Sequence, residues 1–241
     1  RVNGEAMGYY SYGSGQGSIR MFNAALAATP AGAEMLKGPL TADAINSEEF
    51  ADAFRTVATL DQQNGSANSS VNANDFAADF NNGLSAVFIN GVWGASQFAG
   101  SDNFVSCIYP NSVAISSANT GLYVANDLSD AQKELALEFI KYMTSEEVQS
   151  RYFLETSSNP INENVDIQKL AQESGDPTAL KLAEACDKCN KADTIVLAID
   201  VCWGNDVGGA LQNKFAECAV AGTDIEAKLA ELQAELTALI G

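Results

Sequence analysis

The sequence predicts an α/β fold, and three observations predict it. The run Ser85-Ala-Val-Phe-Ile-Asn90 is continuously apolar, as strands of parallel sheets buried on both faces are. Several other stretches carry apolar residues at helical spacing. The two kinds of segment are mixed along 241 residues, enough chain for a large core.

The elements follow in order. Residues 3–18 are rich in Gly, Ser and Tyr. A helix is expected from Ser18 to Ala28, with Met21, Phe22, Ala25 and Leu26 on one face, and Thr29-Pro30-Ala31-Gly32 ends it. The next helix starts at Ser47 as N-cap, with Glu48 and Glu49 in a first turn that favours acids. Phe50, Phe54, Val57 and Ala58 form its buried stripe, Gly65 its C-cap, and 66–74 a polar loop. A short helix then runs through Asp75, Phe76 and Phe80 to Asn82-Gly83. The strand 85–90 follows and is expected to be central, with Val87 and Ile89 buried. Phe104–Tyr109, Val113–Ile115 and Gly121–Ala125 read as further strands. An amphipathic helix covers Ser129–Met143, with Leu135, Phe139, Ile140 and Met143 facing inward. Ser145-Glu146-Glu147 opens a helix through Val148 and Tyr152, and Asn159-Pro160 is a turn. Helical signal returns at Ile167 and at Ala179–Cys189. A last helix starts at Thr223, read with Glu226 as a capping box, and buries Ile225, Leu229, Leu232, Leu236 and Leu239.

Composition narrows the chemistry. Apolar residues make up 46% of the chain and charged residues 18%, a globular balance. The net charge of −18 disfavours nucleic acid and anionic lipid as partners. There is no histidine, which removes the commonest general base and metal ligand and any Ser-His-Asp or Cys-His site within the chain. The five cysteines, Cys107, Cys186, Cys189, Cys202 and Cys218, are an odd number and cannot close a disulfide framework. Cys186 and Cys189 form a lone CxxC in a helical context, and free thiols without a metal are expected. No cofactor is implied. No apolar run is long enough to span a bilayer. The chain opens Arg1-Val2-Asn3-Gly4 without an initiator Met or a signal-peptide pattern, as expected of a piece of a longer protein.

Three stretches carry a resemblance. Phe80-Asn-Asn-Gly-Leu-Ser-Ala-Val-Phe-Ile-Asn-Gly-Val-Trp93 resembles a pattern of Phe, a few residues, Gly-Lys-Ala-Ala-Met, then Asn-Gly-Pro-Trp. Leu84 and Ser85 replace its Lys and Ala, and Val92 replaces its Pro. Asn119 to Gln149 resembles a strand followed by a helix of the form Ala-x-x-Phe-hydrophobic-Lys-x-hydrophobic-Thr-Ser-x-Glu-x-Gln, and is the most specific of the three. Asn159-Pro-Ile-Asn162 is similar to the Pro-hydrophobic-Asn turn that follows. Together they resemble the extracellular solute-binding proteins of bacterial ABC importers, in the maltose-binding-protein-like branch. The resemblance implies a type II periplasmic-binding-protein-like fold of two lobes. The chain would then be the C-terminal lobe with a segment of the N-terminal lobe: 1–108 and 161–241 in the C-lobe, 109–160 on the N-lobe side. It implies a ligand, in many members a sugar, held in an interlobe cleft. It also implies ABC permease subunits as membrane partners, and a place in the periplasm or on the cell envelope as an anchored lipoprotein.

The residues point the same way. A strand ending in Asn90-Gly91-Val92-Trp93 presents an indole at the carboxyl end of a sheet, where α/β folds place ligands. An aromatic plate stacks on the C–H face of a sugar while amides and carboxylates bond its hydroxyls. Trp93 and Asn90 fit that description, although Trp93 also fits as core. Trp203, within Asp200-Val-Cys-Trp-Gly-Asn-Asp206, falls where the resembled family presents a second cleft aromatic, and an ordinary buried Trp203 is equally open; Asp206 of the same stretch is a further ligand-binding candidate. Tyr12, Ser14 and Gln16, ahead of the first helix, complete the candidates, with a solvated linker as the alternative there. A carbohydrate-active enzyme or an adhesion module on the cell surface is the competing reading. No pair of acids forms a motif for matched acid and base roles.

Overall fold

The computed structural model describes residues 8–11, 16–64, 77–78, 80–83, 85–98, 104–117 and 121–241. They form two compact units. The first takes in Arg1–Asn90, Ile108–Ala118 and Lys191–Gly241; the second takes in Gly91–Cys107 and Asn119–Asn190.

Helices build most of the first unit. Helix α1 (Gln16–Ala27) buries Ile19, Phe22 and Leu26. It stops before Thr29, whose Oγ1 accepts the Gly32 N–H at 3.0 Å and starts α2 (Pro30–Met35), with proline at the first position. Thr41 caps α3 (Ala42–Ile45). Ser47 caps α4 (Glu48–Asn64), its Oγ accepting the Phe50 N–H at 3.2 Å. The sequence pattern does not show α2 and α3, which are too short to display a period. Phe22 meets Phe50 edge-on at 5.0 Å between ring centroids, and Phe54 stacks on Phe215 at 5.0 Å. Phe215 lies on a later helix of this unit, Asn205–Cys218, also absent from the expectations; the last helix of the chain, Ile225–Ile240, closes the core with Leu229, Leu232 and Leu236. Aromatic pairs of this kind contribute about 0.5–1.5 kcal/mol each beyond their burial.

Two parallel pairs of strands lie against these helices. Strand β1 (Gly8–Ser11) pairs with β2 (Ser85–Ile89), Ser11 opposite Ile89. Strand β3 (Val113–Ser116) pairs with β4 (Thr194–Leu197), Ser116 opposite Leu197. The expectation of a central, buried strand at 85–90 is corrected. Among the described residues β2 has one neighbour, and Val87 is 47% exposed. The apolar run marks a strand suited to cover on both faces, and here Ala86 and Val87, which point to opposite faces, are both exposed.

The second unit is helical: α5 (Asp130–Met143), α6 (Glu146–Thr156), α7 (Ile167–Ser174) and α8 (Pro177–Asn190). The three helices of the first unit beyond β4 are then α9 (Ile199–Cys202), α10 (Asn205–Cys218) and α11 (Ile225–Ile240). The core of the second unit is Phe153, Ala171, Ala179, Leu182, Ala183 and Cys186. The turn at Asn159-Pro160 is no boundary between separate bodies: the Ile161 N–H donates to Gln149 Oε1 at 2.9 Å and Asn162 Nδ2 to the Thr144 carbonyl at 2.8 Å. Residues 161–190 fall in the same compact unit as 121–160.

Further expectations are corrected. Phe104–Tyr109 forms no strand beyond a single bridge, Tyr109 to Val113. Its carbonyls go to lysines of α8 instead, Phe104 to Lys181 Nζ at 3.2 Å and Ser106 to Lys188 Nζ. Gly121–Ala125 is likewise irregular. The cap of α11 is Asp224, which accepts the Ala227 N–H at 3.1 Å, while Thr223 Oγ1 donates back to the Glu217 carbonyl. Leu135 and Phe139 of α5 and Leu239 of α11, expected to face inward, are exposed. The expected helix at 75–83 and loop at 66–74 lie largely outside the described residues.

Candidate functional site

Parallel strands send their carboxyl ends to one edge, where the loops can surround a ligand. Strands β1 and β2 end together at Ser11 and Ile89. The chain beyond β2 is Asn90, which is half-buried; the chain beyond β1 leads to Gln16, the first residue of α1. Tyr12 and Ser14 lie outside the described residues.

The second pair of strands ends beside the same helix. The Ala198 N–H donates to the Ser116 carbonyl at 2.9 Å, and α9 follows at once. Helix α1 grips this turn twice. Asn23, fully buried, accepts the Ile199 N–H on Oδ1 at 3.0 Å. Arg20 meets Asp200 with both nitrogens, Nη1 to Oδ1 at 2.5 Å and Nη2 to Oδ2 at 3.1 Å. The Arg20 hydrogen bonds hold the Asp200 carboxyl below its ordinary range, against the opposing pull of burial. Sequence reasoning missed this clamp. A polar Asn23 within the apolar stripe of α1 was the available signal, since a buried amide needs a partner.

Past α9 the chain places Trp203 and Asp206 differently. Trp203 is 8% exposed, stacks 6.4 Å from Phe50 and donates its indole N–H to the Met35 carbonyl at 3.4 Å. Of the two readings open for it, this environment is that of a packed ring. Asp206 is exposed in the first turn of α10, behind Gly204 at φ 93°.

Trp93 belongs to the second unit, in a 3₁₀ helix over Val92–Phe98. Three residues per turn align positions i and i+3. Val92 and Ala95 pack on the core of that unit, so Trp93 and Ser96 face out. Trp93 is 52% exposed, and its ring lies over the α-carbon of Gly91, where an added Cβ would come within 2.2 Å of the indole. One face of the plate rests on backbone, an arrangement only glycine at position 91 allows. Core filler, the alternative for Trp93, does not describe a ring half in solvent.

A groove of about 330 Å³ between α1 and α4, lined by Ala25, Thr29, Glu48, Glu49, Asp52, Ala53 and Thr56, contains none of these residues. Burial pushes the thiols of Cys186 up to about 12 and of Cys202 and Cys218 up to about 11, away from thiolate chemistry. Among the described residues no helix is long and apolar enough to cross a membrane, and no His, Cys, Asp and Glu cluster is disposed to hold a metal ion.

Three comparisons bear on this arrangement. A family model described as "Bacterial extracellular solute-binding protein" matches residues 3–178. A solute-binding protein of Streptococcus pneumoniae, solved in complex with the blood group A-trisaccharide, superposes with a TM-score of 0.88 at 38% identity. The match covers 96% of this chain and 59% of that one. A chitin oligosaccharide binding protein superposes with a TM-score of 0.72 at 17% identity, covering 95% of this chain and 60% of its own, a likeness of fold. The chain thus spans about three fifths of the length of each of these solved structures. Comparison with curated proteins gives no match.

Proposed function

The chain belongs to the family of bacterial extracellular solute-binding proteins, and we propose that its protein captures a carbohydrate and hands it to the permease of an ABC importer. The observation that carries this reading is the match to the Streptococcus pneumoniae protein, which was solved with a bound trisaccharide. The α/β fold is the one these proteins share. The family is one of binding proteins and is extracellular, so capture without turnover, in the periplasm or on the cell envelope, is the corresponding role.

The chemistry assigned to the residues is that of a sugar site. The open face of Trp93 receives the apolar C–H face of a pyranose ring. Asn90 supplies an amide that both donates and accepts, and Asp206 a carboxylate that accepts from hydroxyls. Gln16, the first residue of α1, remains a polar candidate in this proposal, as do Tyr12 and Ser14, which lie outside the described residues. The Arg20–Asp200 and Asn23–Ile199 contacts fix the turn that leads to Asp206. The 1–108, 109–160 and 161–241 assignment to lobes is replaced in this proposal by one that follows the compact units.

The test is a calorimetric and thermal-shift titration of the full gene product against a panel of oligosaccharides that includes blood group A-trisaccharide and chitin oligomers. Saturable binding of one class, with the sugar recovered intact, is expected. Cleaved products, or a panel that produces neither heat nor a melting shift, would overturn the reading.

A further inference from the structure

Tyr123 repeats the setting of Trp93. The chain enters the second unit twice, at Gly91 and at Asn119. Each entry follows a strand of a parallel pair: β2 ends at Ile89 and β3 at Ser116. The carboxyl ends of such strands are where α/β folds place ligands. Each entry then carries a glycine with an aromatic residue two positions on, Gly91-Val92-Trp93 and Gly121-Leu122-Tyr123. In both, the ring folds back on its glycine. A Cβ at Gly91 would run into the indole, and one at Gly121 would stand 3.5 Å from the phenol ring of Tyr123.

The second plate is more open than the first. Tyr123 is 85% exposed, against 52% for Trp93. A single exposed aromatic residue is ordinary. Two glycine-seated rings at matching points of the chain are a repeated arrangement, and neither ring is part of the core of the unit. Among the described residues, the other exposed aromatic side chains of this unit lie on helices, Phe139 and Tyr142 on α5 and Tyr152 on α6. Tyr123 lies instead on the irregular segment 121–125.

Tyrosine suits such a position. Its ring is rigid, so little conformational entropy is lost when a ligand covers it. Its face takes the C–H face of a pyranose, and its hydroxyl donates to or accepts from a sugar hydroxyl. An oligosaccharide has more than one ring to remove from water, so a second plate adds contact that Trp93 alone does not supply. We infer that Tyr123 is a second stacking residue for the captured oligosaccharide. The inference rests on the carbohydrate reading above and adds a residue to that site.

Tyrosine nitration and calorimetry test it in the full gene product, with blood group A-trisaccharide and chitotriose as probes. Tetranitromethane nitrates exposed phenols, and mass spectrometry locates them. Tyr123 is expected to react without sugar and to be protected by a saturating probe. Tyr123→Ala is expected to weaken binding about tenfold or more, whereas Tyr123→Phe, which keeps the plate, stays within about threefold. Both variants should melt with the unaltered protein when no sugar is present. A Tyr123 that resists nitration without sugar is covered by the protein itself, which overturns the inference. Equal nitration with and without sugar overturns it too, as does unchanged affinity in Tyr123→Ala. The nitration needs no variant, so it decides even where Tyr123→Ala does not fold. A gene product that binds neither probe also overturns the inference, and the wider sugar panel then decides the carbohydrate reading separately.

Discussion

Arg20 on α1 holds Asp200 on α9 through a two-pronged contact, 2.5 Å and 3.1 Å, between residues 180 positions apart. Both side chains are less than a quarter exposed. Their bond joins the helix that follows β1 to the turn that follows β4. The carboxyl ends of two separate strand pairs are thereby fixed to one helix.

The pair should make stability depend on pH. Asp200 keeps its charge to lower pH in the folded state than in the unfolded chain, because Arg20 hydrogen-bonds it. Its contribution is therefore complete above the unfolded value of about 3.9 and is lost as pH falls through the lower folded value. Arg20→Ala is predicted to cost about 1–2 kcal/mol at pH 7. The gap from the unaltered protein should narrow as the pH drops below about 4. Denaturant unfolding at pH 7 and pH 3 measures it; an equal gap at both would dissociate stability from this carboxylate.

The two tryptophans should separate cleanly. Trp203→Ala removes a ring packed on Phe50 and leaves the Met35 carbonyl unpaired. A loss of about 3–5 kcal/mol is predicted from comparable core truncations. Trp93→Ala, at a half-exposed ring, should change unfolding by less than about 1 kcal/mol. The reverse order in chemical denaturation would show the packing to be misassigned.

Trp93 should matter to the ligand instead. In the full gene product, Trp93→Ala is predicted to weaken sugar binding by about 1–3 kcal/mol, the range of an aromatic anchor. Gly91→Ala should weaken it as well, because a Cβ would displace the indole from its seat. Calorimetry on both variants decides this, and unchanged affinity in both would remove Trp93 from the site.

The cap of the last helix makes a local test. Asp224→Ala should cost about 1 kcal/mol, the usual worth of an N-cap. Thr223→Ala, which loses only a hydroxyl bond to the Glu217 carbonyl, should cost less. Melting curves of the two variants rank them.

These outcomes trace what the sequence makes visible. Helices with a long stripe, such as the one through Phe50, Phe54 and Val57, are legible because period and cap agree at Ser47. The short α2 and α3 are not, since four to six residues cannot show a period. The segment 104–109 has strand-like composition, but its carbonyls bond to Lys181 and Lys188, which are about 80 residues away in sequence. The inward face of α5 is not legible either, because the period locates an apolar stripe without saying which molecule covers it. At the site, the exposure of Trp93 follows from the three-residue turn of its 3₁₀ helix, whereas motif position alone suggested Trp203. What separates the two rings is packing against Phe50 and Met35, which no local pattern encodes.

The last prediction concerns what these residues can bind unaided. The chain spans about three fifths of the solved relatives. If the proposed sugar site has two walls, as the resemblance implies, part of one of them comes from outside these residues. Good pockets bury roughly 70–90% of a ligand, and a one-sided site buries far less. Each hydrogen bond lost is worth on the order of 1 kcal/mol. Loss of three or four of them lowers affinity by about two to three orders of magnitude, which carries a micromolar binder to roughly millimolar. The 241-residue chain is therefore predicted to bind the sugar of the full gene product at least a hundredfold more weakly, while its thermal unfolding remains cooperative through the aromatic core of Phe22, Phe50, Phe54 and Phe215. Parallel calorimetric titrations of the two proteins with that sugar measure it. Equal affinities would mean that the binding site is complete within these residues.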